Sequence, residues 1–235
     1  RLSPELRALY ELRLKEFLAY KRYYGCDGLE VSEDMRWLIA AQACLLVLRP
    51  ESGTFPSLRS VLVYPSVFEV PPMPAPVEFG EFELVDDEAD ERIGESHDSG
   101  RVILSWADVE AALDGDPVNV VVHEFAHQLD QIDGAADGAP TLGQGEERGQ
   151  RRQLYRSWAL VLSRDFECLQ KKAAKGKRTV IDHYGATNPA EFFATATEAF
   201  FEKPRQLKKK RPELYEELRS YYRQNPAAWH GSRNR

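Results

Sequence analysis

Cysteine is scarce in this sequence, and methionine and histidine are scarce too. The chain of 235 residues has three cysteines (Cys26, Cys44 and Cys168), two methionines and five histidines. No two cysteines stand in a C-x-x-C spacing, so the pattern argues against a disulfide framework and favours reduced thiols. The apolar run at 38–48 is about 11 residues long, which is too short to cross a bilayer, and no signal peptide is visible. These absences predict a cytoplasmic protein without a membrane partner.

Positive charge is also in short supply. Lysine and arginine number 31 against 38 aspartates and glutamates, which gives a net charge of −7. Nucleic-acid-binding proteins usually carry a basic footprint, so no nucleic-acid partner is expected. The one strong basic run, 208–211, is followed by acidic residues and is interpreted as a solvated helix connection, with a phosphate or partner contact as the alternative. The hydrophobic content of 43% suffices for one sizeable core.

The most informative motif present is the H-E-x-x-H run formed by His123, Glu124 and His127. Histidines four positions apart on a helix lie on one face, so both imidazoles can reach one metal ion. The glutamate after the first histidine can then serve as general base toward a water molecule. The surrounding residues are apolar, which predicts a buried helix. The competing interpretation is a pair of core histidines satisfied by neighbouring hydrogen bonds.

This helix has recognisable ends in the sequence. Asp116 is a plausible N-cap, and Pro117 fits the first helical position, where its missing N–H is tolerated. Gly134 is expected to end the helix. His123 and His127 are therefore predicted to lie in the middle of the helix.

A zinc peptidase needs a third protein ligand. In the metzincin spacing this ligand would fall on position 133, which is Asp133, and the turn-making glycine would fall on Asp130. Both methionines, Met35 and Met73, lie upstream, so the downstream Met-turn of that group is impossible. Asp133 is therefore only a weak candidate.

Two better candidates, Glu191 and Glu198, lie on a second predicted helix that begins after Asn188 with Pro189. The two glutamates are seven positions apart and could both project inward from one helix. Glu191 also fits the N3 position of a capping box with Asn188, which would be a purely structural role. Spacing alone does not choose between the two glutamates.

Several longer motifs carry a family resemblance. They are 61–65 (VLVYP), 102–106 (VILSW), the run 123–130, 184–194 (YGATNPAEFFA) and 221–226 (YYRQNP). With these motifs the chain resembles the Mlc titration factor A (MtfA) family of bacterial zinc metallopeptidases over most of its length.

The resemblance implies a set of residue roles. In that family the histidines of H-E-x-x-H and the glutamate of the Pro-Ala-Glu segment bind one zinc ion, which here means His123, His127 and Glu191. Glu124 would be the general base, and the family's active-site tyrosine falls on Tyr184. Such a His₂Glu set with an open fourth position is a known catalytic zinc arrangement.

The expected fold is α+β, with a zincin-like metallopeptidase domain, an H-E-x-x-H helix and a small mixed sheet. We expect one domain over 1–235, with a helical N-terminal part at 1–58 and a catalytic core at 59–235. Helices are predicted at 3–24, 32–48, about 146–172, 189–202 and 212–224 and strands at 59–70 and 101–106. The strand at 101–106 is the candidate edge for holding a substrate backbone, and an internal strand is the alternative.

Two functions from different classes are expected. The first is a zinc-dependent peptidase acting on peptides or proteins, and the resemblance suggests an aminopeptidase. The second is a non-catalytic binding protein that sequesters a transcriptional repressor of the Mlc type, as relatives in enteric bacteria do. The intact Glu124 favours catalysis, because a scaffold without activity would tolerate the loss of its base.

Overall fold

A computed structural model describes residues 2–66, 100–115 and 118–229 of the chain. The strands are β1 (Arg22–Gly25), β2 (Ser60–Tyr64) and β3 (Arg101–Ser105). The first helices are α1 (Pro4–Tyr20), α2 (Glu33–Leu45), α3 (Trp106–Leu113) and α4 (Val120–Asp130). They are followed by α5 (Arg148–Ala173), α6 (Pro189–Glu202), α7 (Pro204–Lys210), α8 (Pro212–Tyr222) and α9 (Pro226–Trp229). Short 3₁₀ turns span Gln131–Asp133 and His183–Ala186.

The three strands form a parallel sheet in the order β1-β2-β3. Val61 pairs with Tyr23 on one side and with Val102 on the other. A mixed sheet was expected, but the described strands pair only in parallel, and a mixed sheet would also need an antiparallel pair. The predicted α+β class with a small sheet is confirmed.

One hydrophobic core joins the sheet to the helices. Val61 and Val63 of β2 and Val102 and Leu104 of β3 are almost completely buried. Phe125 of α4 packs against the rings of Phe17 and Phe55, with ring centroids 5.5 and 4.9 Å apart. The core therefore fixes α4 on the sheet and leaves its other face for α6.

Most predicted elements are present, with shifted ends. The first helix ends at Tyr20 and not at position 24, because Arg22–Gly25 pair with β2 as β1. The predicted strand at 59–70 is β2, which ends at Tyr64; its last four positions lie outside the described residues. Helices α3, α7 and α9 were not predicted. All three are short, so their periodic signal is weak.

No helix within residues 2–66, 100–115 and 118–229 combines the length and the apolar character needed to cross a bilayer.

The basic run contains both exposed and paired side chains. Lys208, Lys209 and Lys210 form the last turn of α7 and are exposed, as a solvated connection requires. Arg211 differs, because its guanidinium Nη1 lies 3.0 Å from Oδ1 of the buried Asp165. The prediction of a solvated connection therefore holds for the lysines and is wrong for Arg211.

Candidate metal centre

Helix α4 presents the H-E-x-x-H residues toward α6. Its N-cap is Asn119, whose Oδ1 accepts a hydrogen bond from the Val122 backbone N–H at 3.0 Å. The predicted cap residues Asp116 and Pro117 lie outside the described residues. The helix begins at Val120, three positions after the predicted first helical residue, Pro117. Its far end agrees with the prediction, since Gly134 follows the 3₁₀ turn with φ of 91°, a left-handed conformation that suits glycine.

Three ligand-type atoms converge between α4 and α6. His123 Nε2 lies 3.2 Å from His127 Nε2 and 3.0 Å from Glu191 Oε2. The distance from His127 Nε2 to Glu191 Oε2 is 3.5 Å. Together the two histidines and the glutamate form a group that could hold a metal ion, with all ligand atoms within 4.8 Å of one another.

Glu191 reaches this group because of its position in the first turn of α6. Asn188 is the N-cap and accepts a hydrogen bond from the Glu191 backbone N–H at 2.9 Å. The capping-box alternative is therefore only half present. The Glu191 carboxylate points to the two imidazoles instead.

Glu198, the rival candidate, lies behind His123. Its Oε1 is 2.8 Å from His123 Nδ1, and its Oε2 accepts a hydrogen bond from the Asn119 backbone N–H at 2.8 Å. Both carboxylate oxygens are thus occupied, and Glu198 is not in the group of converging atoms. Asn119 is held further by its side chain, which donates from Nδ2 to Glu202 Oε1 at 2.8 Å.

This donor set fits a cation. An ionised carboxylate only accepts hydrogen bonds, so the contact with Glu198 places a proton on His123 Nδ1 and turns Nε2 toward Glu191. Glu191 Oε2 is buried and faces the Nε2 atoms of both histidines, at 3.0 and 3.5 Å. Buried acceptor atoms that face one another are unfavourable unless a proton or a metal ion lies between them.

The charges of the site are strongly coupled. Burial would lower the pKa of His123, but hydrogen bonds to Glu191 and Glu198 outweigh it and raise that pKa to about 10. Burial would raise the pKa of Glu191, yet the hydrogen bonds from His123 and His127 lower it to about 2. Without a metal, a proton on His123 thus balances the Glu191 charge, and a bound metal would have to displace that proton. Burial also raises the pKa of Glu124, against the lowering effect of the two histidines.

A cleft of about 380 Å³ opens onto these residues. Its lining includes Glu124, Asp182 and Tyr184 beside the converging atoms, and Val118 and Val120 supply apolar surface. Tyr184 is 57% exposed, and its ring centroid lies 6.0 Å from that of His123. Its backbone N–H donates to Asp182 Oδ1 at 2.8 Å, which fixes the turn that carries it.

The structure brings together His123, Glu124, His127, Tyr184 and Glu191, which all line one cleft. It does not bring Asp133 to them, because Asp133 is exposed in the turn after α4, where its Oδ1 accepts from the Ala135 N–H at 3.3 Å. The residue whose role was missed is Asn119. Asparagine is a favoured N-cap residue, and its place directly before the apolar run that begins at Val120 is a signal that could have found it.

Comparison with known proteins defines the class as metallopeptidase. A sequence model of the family described as glucose-regulated metallo-peptidase M90 matches residues 1–223. The chain belongs to this family, and membership in it implies a metal.

Relatives support the same assignment. Uncharacterized protein slr2042 of Synechocystis sp. is 41% identical over 226 residues, covering 94% of this chain and 78% of that protein. Mlc titration factor A of Klebsiella pneumoniae subsp. pneumoniae is 32% identical over 238 residues, covering 96% of this chain and 82% of that protein. The protein of the same name from Escherichia coli O1:K1 is 30% identical over 224 residues, or 90% and 77% of the two chains. The resemblance drawn from the motifs is confirmed.

Proposed function

We propose that this protein is a zinc-dependent peptidase in which His123, His127 and Glu191 bind the zinc ion. The observation that carries the proposal is the convergence of two imidazole nitrogens and one carboxylate oxygen within 4.8 Å, beside a cleft. Two nitrogens and one oxygen suit zinc, and three protein ligands leave its fourth position open. Other divalent ions accept the same donors, so metal identity is part of the test.

Bound zinc would supply a Lewis acid that polarises a carbonyl and lowers the pKa of water to about 7. The chain's own contribution begins with Glu124, which follows His123 on α4 and lines the same cleft. Burial raises the pKa of its carboxyl, which brings it closer to the pKa that a general base needs near neutral pH. Glu124 would accept the proton of the attacking water and pass it to the leaving amine.

Tyr184 lines the same cleft from the 3₁₀ turn His183–Ala186. Its hydroxyl would donate a hydrogen bond to the negative charge that develops on the substrate carbonyl oxygen. Burial and the nearby Glu191 and Glu124 carboxylates raise the pKa of Tyr184, which keeps its proton available for donation. Its exposure of 57% leaves room for a substrate to cover the ring.

The type of peptidase that we propose is an aminopeptidase. Four carboxylates line the cleft, those of Glu124, Asp182, Glu191 and Glu198, and Asp182 forms no ion pair among the described residues. An acidic cleft favours the ammonium group at a peptide's N-terminus over a neutral chain interior.

Strand β3 is the proposed support for the substrate backbone. Of the described strands it pairs with β2 alone, so its other edge is free of described partners. It also packs against α4, which carries the two histidines. An extended peptide could add to this edge through main-chain hydrogen bonds.

The test is cleavage of a mixed peptide library by zinc-loaded protein, with Glu124→Gln beside it. We expect the parent to cleave and Glu124→Gln to lose about 10²–10⁴-fold in rate while still holding one zinc. The exposed Glu110→Gln on α3 is a matched control that should keep full activity. Product ends distinguish N-terminal trimming from internal cleavage. Inert parent protein that holds one zinc would contradict the peptidase proposal for these substrates.

The second candidate function is sequestration of a transcriptional repressor, and the names of the relatives favour it. Proteins 32% and 30% identical to this chain are called Mlc titration factor A. The test is binding of a purified Mlc-type repressor by the parent and by Glu124→Gln. A binding protein that does not need catalysis would bind equally well in both forms.

A further inference from the structure

A second cavity, of about 160 Å³, shares no lining residue with the metal cleft. Buried Arg49, Trp158 and Tyr221 form part of its lining, and Glu146 and Glu217 are among its more accessible lining residues. Such a cavity is smaller than those that hold drug-sized ligands, which measure about 300–1,000 Å³. Any ligand would therefore be a small molecule.

Arg49 is the lining residue whose surroundings indicate a ligand. It is only 7% exposed, and its guanidinium carbon lies 4.2 Å from the centroid of the Tyr221 ring. The one hydrogen bond that its side chain makes to a described residue runs from Nη2 to the Tyr221 hydroxyl at 3.3 Å, and Nε is buried without a described partner. No described carboxylate pairs with Arg49. A buried charge without a counter-ion is costly.

Other buried cations of the described chain are better satisfied. Arg13, which is 8% exposed, forms an ion pair with Glu16 at 3.0 Å. Lys21, which is 9% exposed, donates to the carbonyls of Phe55 and Leu58 at 2.6 and 2.7 Å. Arg49 is set apart from both because it faces a cavity and not a set of acceptors.

The remaining lining narrows the chemistry of the ligand. Glu146 and Glu217 add negative charge, while the Glu51 carboxylate is already paired with Arg223 at 3.0 Å. These carboxylates disfavour a phosphate, whereas a ligand without any anionic group would leave the Arg49 charge uncompensated. Leu154 and Trp158 supply apolar wall. The cavity thus offers one cation without a described carboxylate partner, Arg49, together with carboxylates and an apolar surface.

We propose that this cavity binds a free amino acid with an apolar side chain. The carboxylate of the ligand would pair with Arg49, and its ammonium group would lie near Glu146 and Glu217. Its side chain would pack on Leu154 and Trp158. A guanidinium binds a carboxylate through two parallel hydrogen bonds, which explains why arginine and not lysine suits this position.

The test is calorimetric titration of metal-loaded protein with L-leucine. We expect saturable binding that weakens about tenfold or more in Arg49→Gln, because a charge-assisted hydrogen bond is lost. Leucinamide, which lacks the carboxylate, and isocaproate, which lacks the ammonium group, should bind about tenfold or more weakly for the same reason. Glu191→Gln should bind leucine as the parent does, which separates this site from the metal cleft.

A second pair of variants keeps the test decisive if Arg49→Gln fails to fold. Leu154 is 37% exposed on α5, and Leu154→Trp would fill the cavity without touching Arg49. Leu160, 72% exposed on the same helix, gives the matched control Leu160→Trp. Binding should weaken in the first variant and stay unchanged in the second.

Three results would overturn the proposal. They are the absence of saturable leucine binding, binding unchanged in Leu154→Trp, and binding lost in Glu191→Gln but kept in Arg49→Gln. Inorganic phosphate is the competing probe. Phosphate binding that depends on Arg49, without leucine binding, would also overturn the assignment of an amino acid.

Discussion

Buried charge is satisfied differently around Lys21 and around His123. The Lys21 ammonium donates to two backbone carbonyls, those of Phe55 and Leu58. Around His123, by contrast, three ligand-type atoms of two histidines and Glu191 lie within 4.8 Å of one another. The Lys21 charge is met by acceptors of the chain itself, whereas the group around His123 has the donor set of a metal site.

This difference separates a structural charge from a ligand site. Burial lowers the pKa of Lys21, and the two carbonyls offset part of the desolvation of its ammonium group. Changing Lys21 should therefore alter stability and leave metal binding intact. Changing His123, His127 or Glu191 should weaken metal binding and alter stability little.

The largest effect is expected for Glu191→Gln. Glutamine keeps the size of the side chain but removes the charge that faces both imidazoles. We expect zinc affinity to fall by more than about 100-fold, beyond the range typical of residues that only support a ligand. The measurement is competition with a chelating dye. The exposed Glu110→Gln on α3, which does not line the metal cleft, is the matched control and should change affinity little. An equal loss in both variants would contradict the ligand role.

Lys21→Met should lower the free energy of unfolding by about 2–4 kcal/mol, because two carbonyls lose their donor. Methionine keeps much of the apolar stem, so packing changes little. Urea unfolding of metal-free protein measures the effect, and the exposed Lys15→Met on α1 is the control, expected to stay within about 0.5 kcal/mol. Zinc affinity should be the same in both. A large loss of zinc affinity in Lys21→Met would contradict the purely structural role assigned to Lys21.

Asp130, at the end of α4, provides a pH-dependent prediction. It is completely buried, and burial raises the pKa of its carboxyl from 3.8 to about 6, although the Gly138 N–H donates to Oδ2. The folded protein therefore holds this proton more tightly than the unfolded chain does. Stability should fall as pH rises from about 4 to 6, by at most about 3 kcal/mol.

Asp130→Asn should remove that fall. Urea unfolding of metal-free parent and variant at several pH values between 4 and 7 measures the difference between them. The variant should gain stability relative to the parent as pH rises through this window. A difference that does not change with pH would show that Asp130 does not titrate as its burial implies.

The sequence predicted much of the site because the chemistry is local. His123, Glu124 and His127 need only helical spacing to share a face, and the structure places them on α4. Gly134 was found from its preference for a left-handed conformation. Strand β1 was missed, because the four residues Arg22–Gly25 carry no signal that outweighs the preceding helical pattern.

The choice between Glu191 and Glu198 could not be made from spacing. The two glutamates lie on the same helix, and the way α6 packs against α4 decides which of them meets the Nε2 atoms and which meets Nδ1 of His123. Such contacts between two helices depend on tertiary packing. The Arg49 cavity could not be predicted from the sequence for the same reason, since residues far apart in the chain form its lining.

The smallest effect, and the finest test of the site, is expected for Glu198→Gln. An amide has one acceptor oxygen, so either His123 Nδ1 or the Asn119 N–H would lose its partner. We expect zinc affinity to fall by about 10–100-fold, as for other residues that orient a metal-binding histidine. The loss should be smaller than in Glu191→Gln, measured with the same dye. The opposite order would make Glu198 the ligand and would return Glu191 to the role of a helix-capping residue, because only one of the two carboxylates can face the Nε2 atoms.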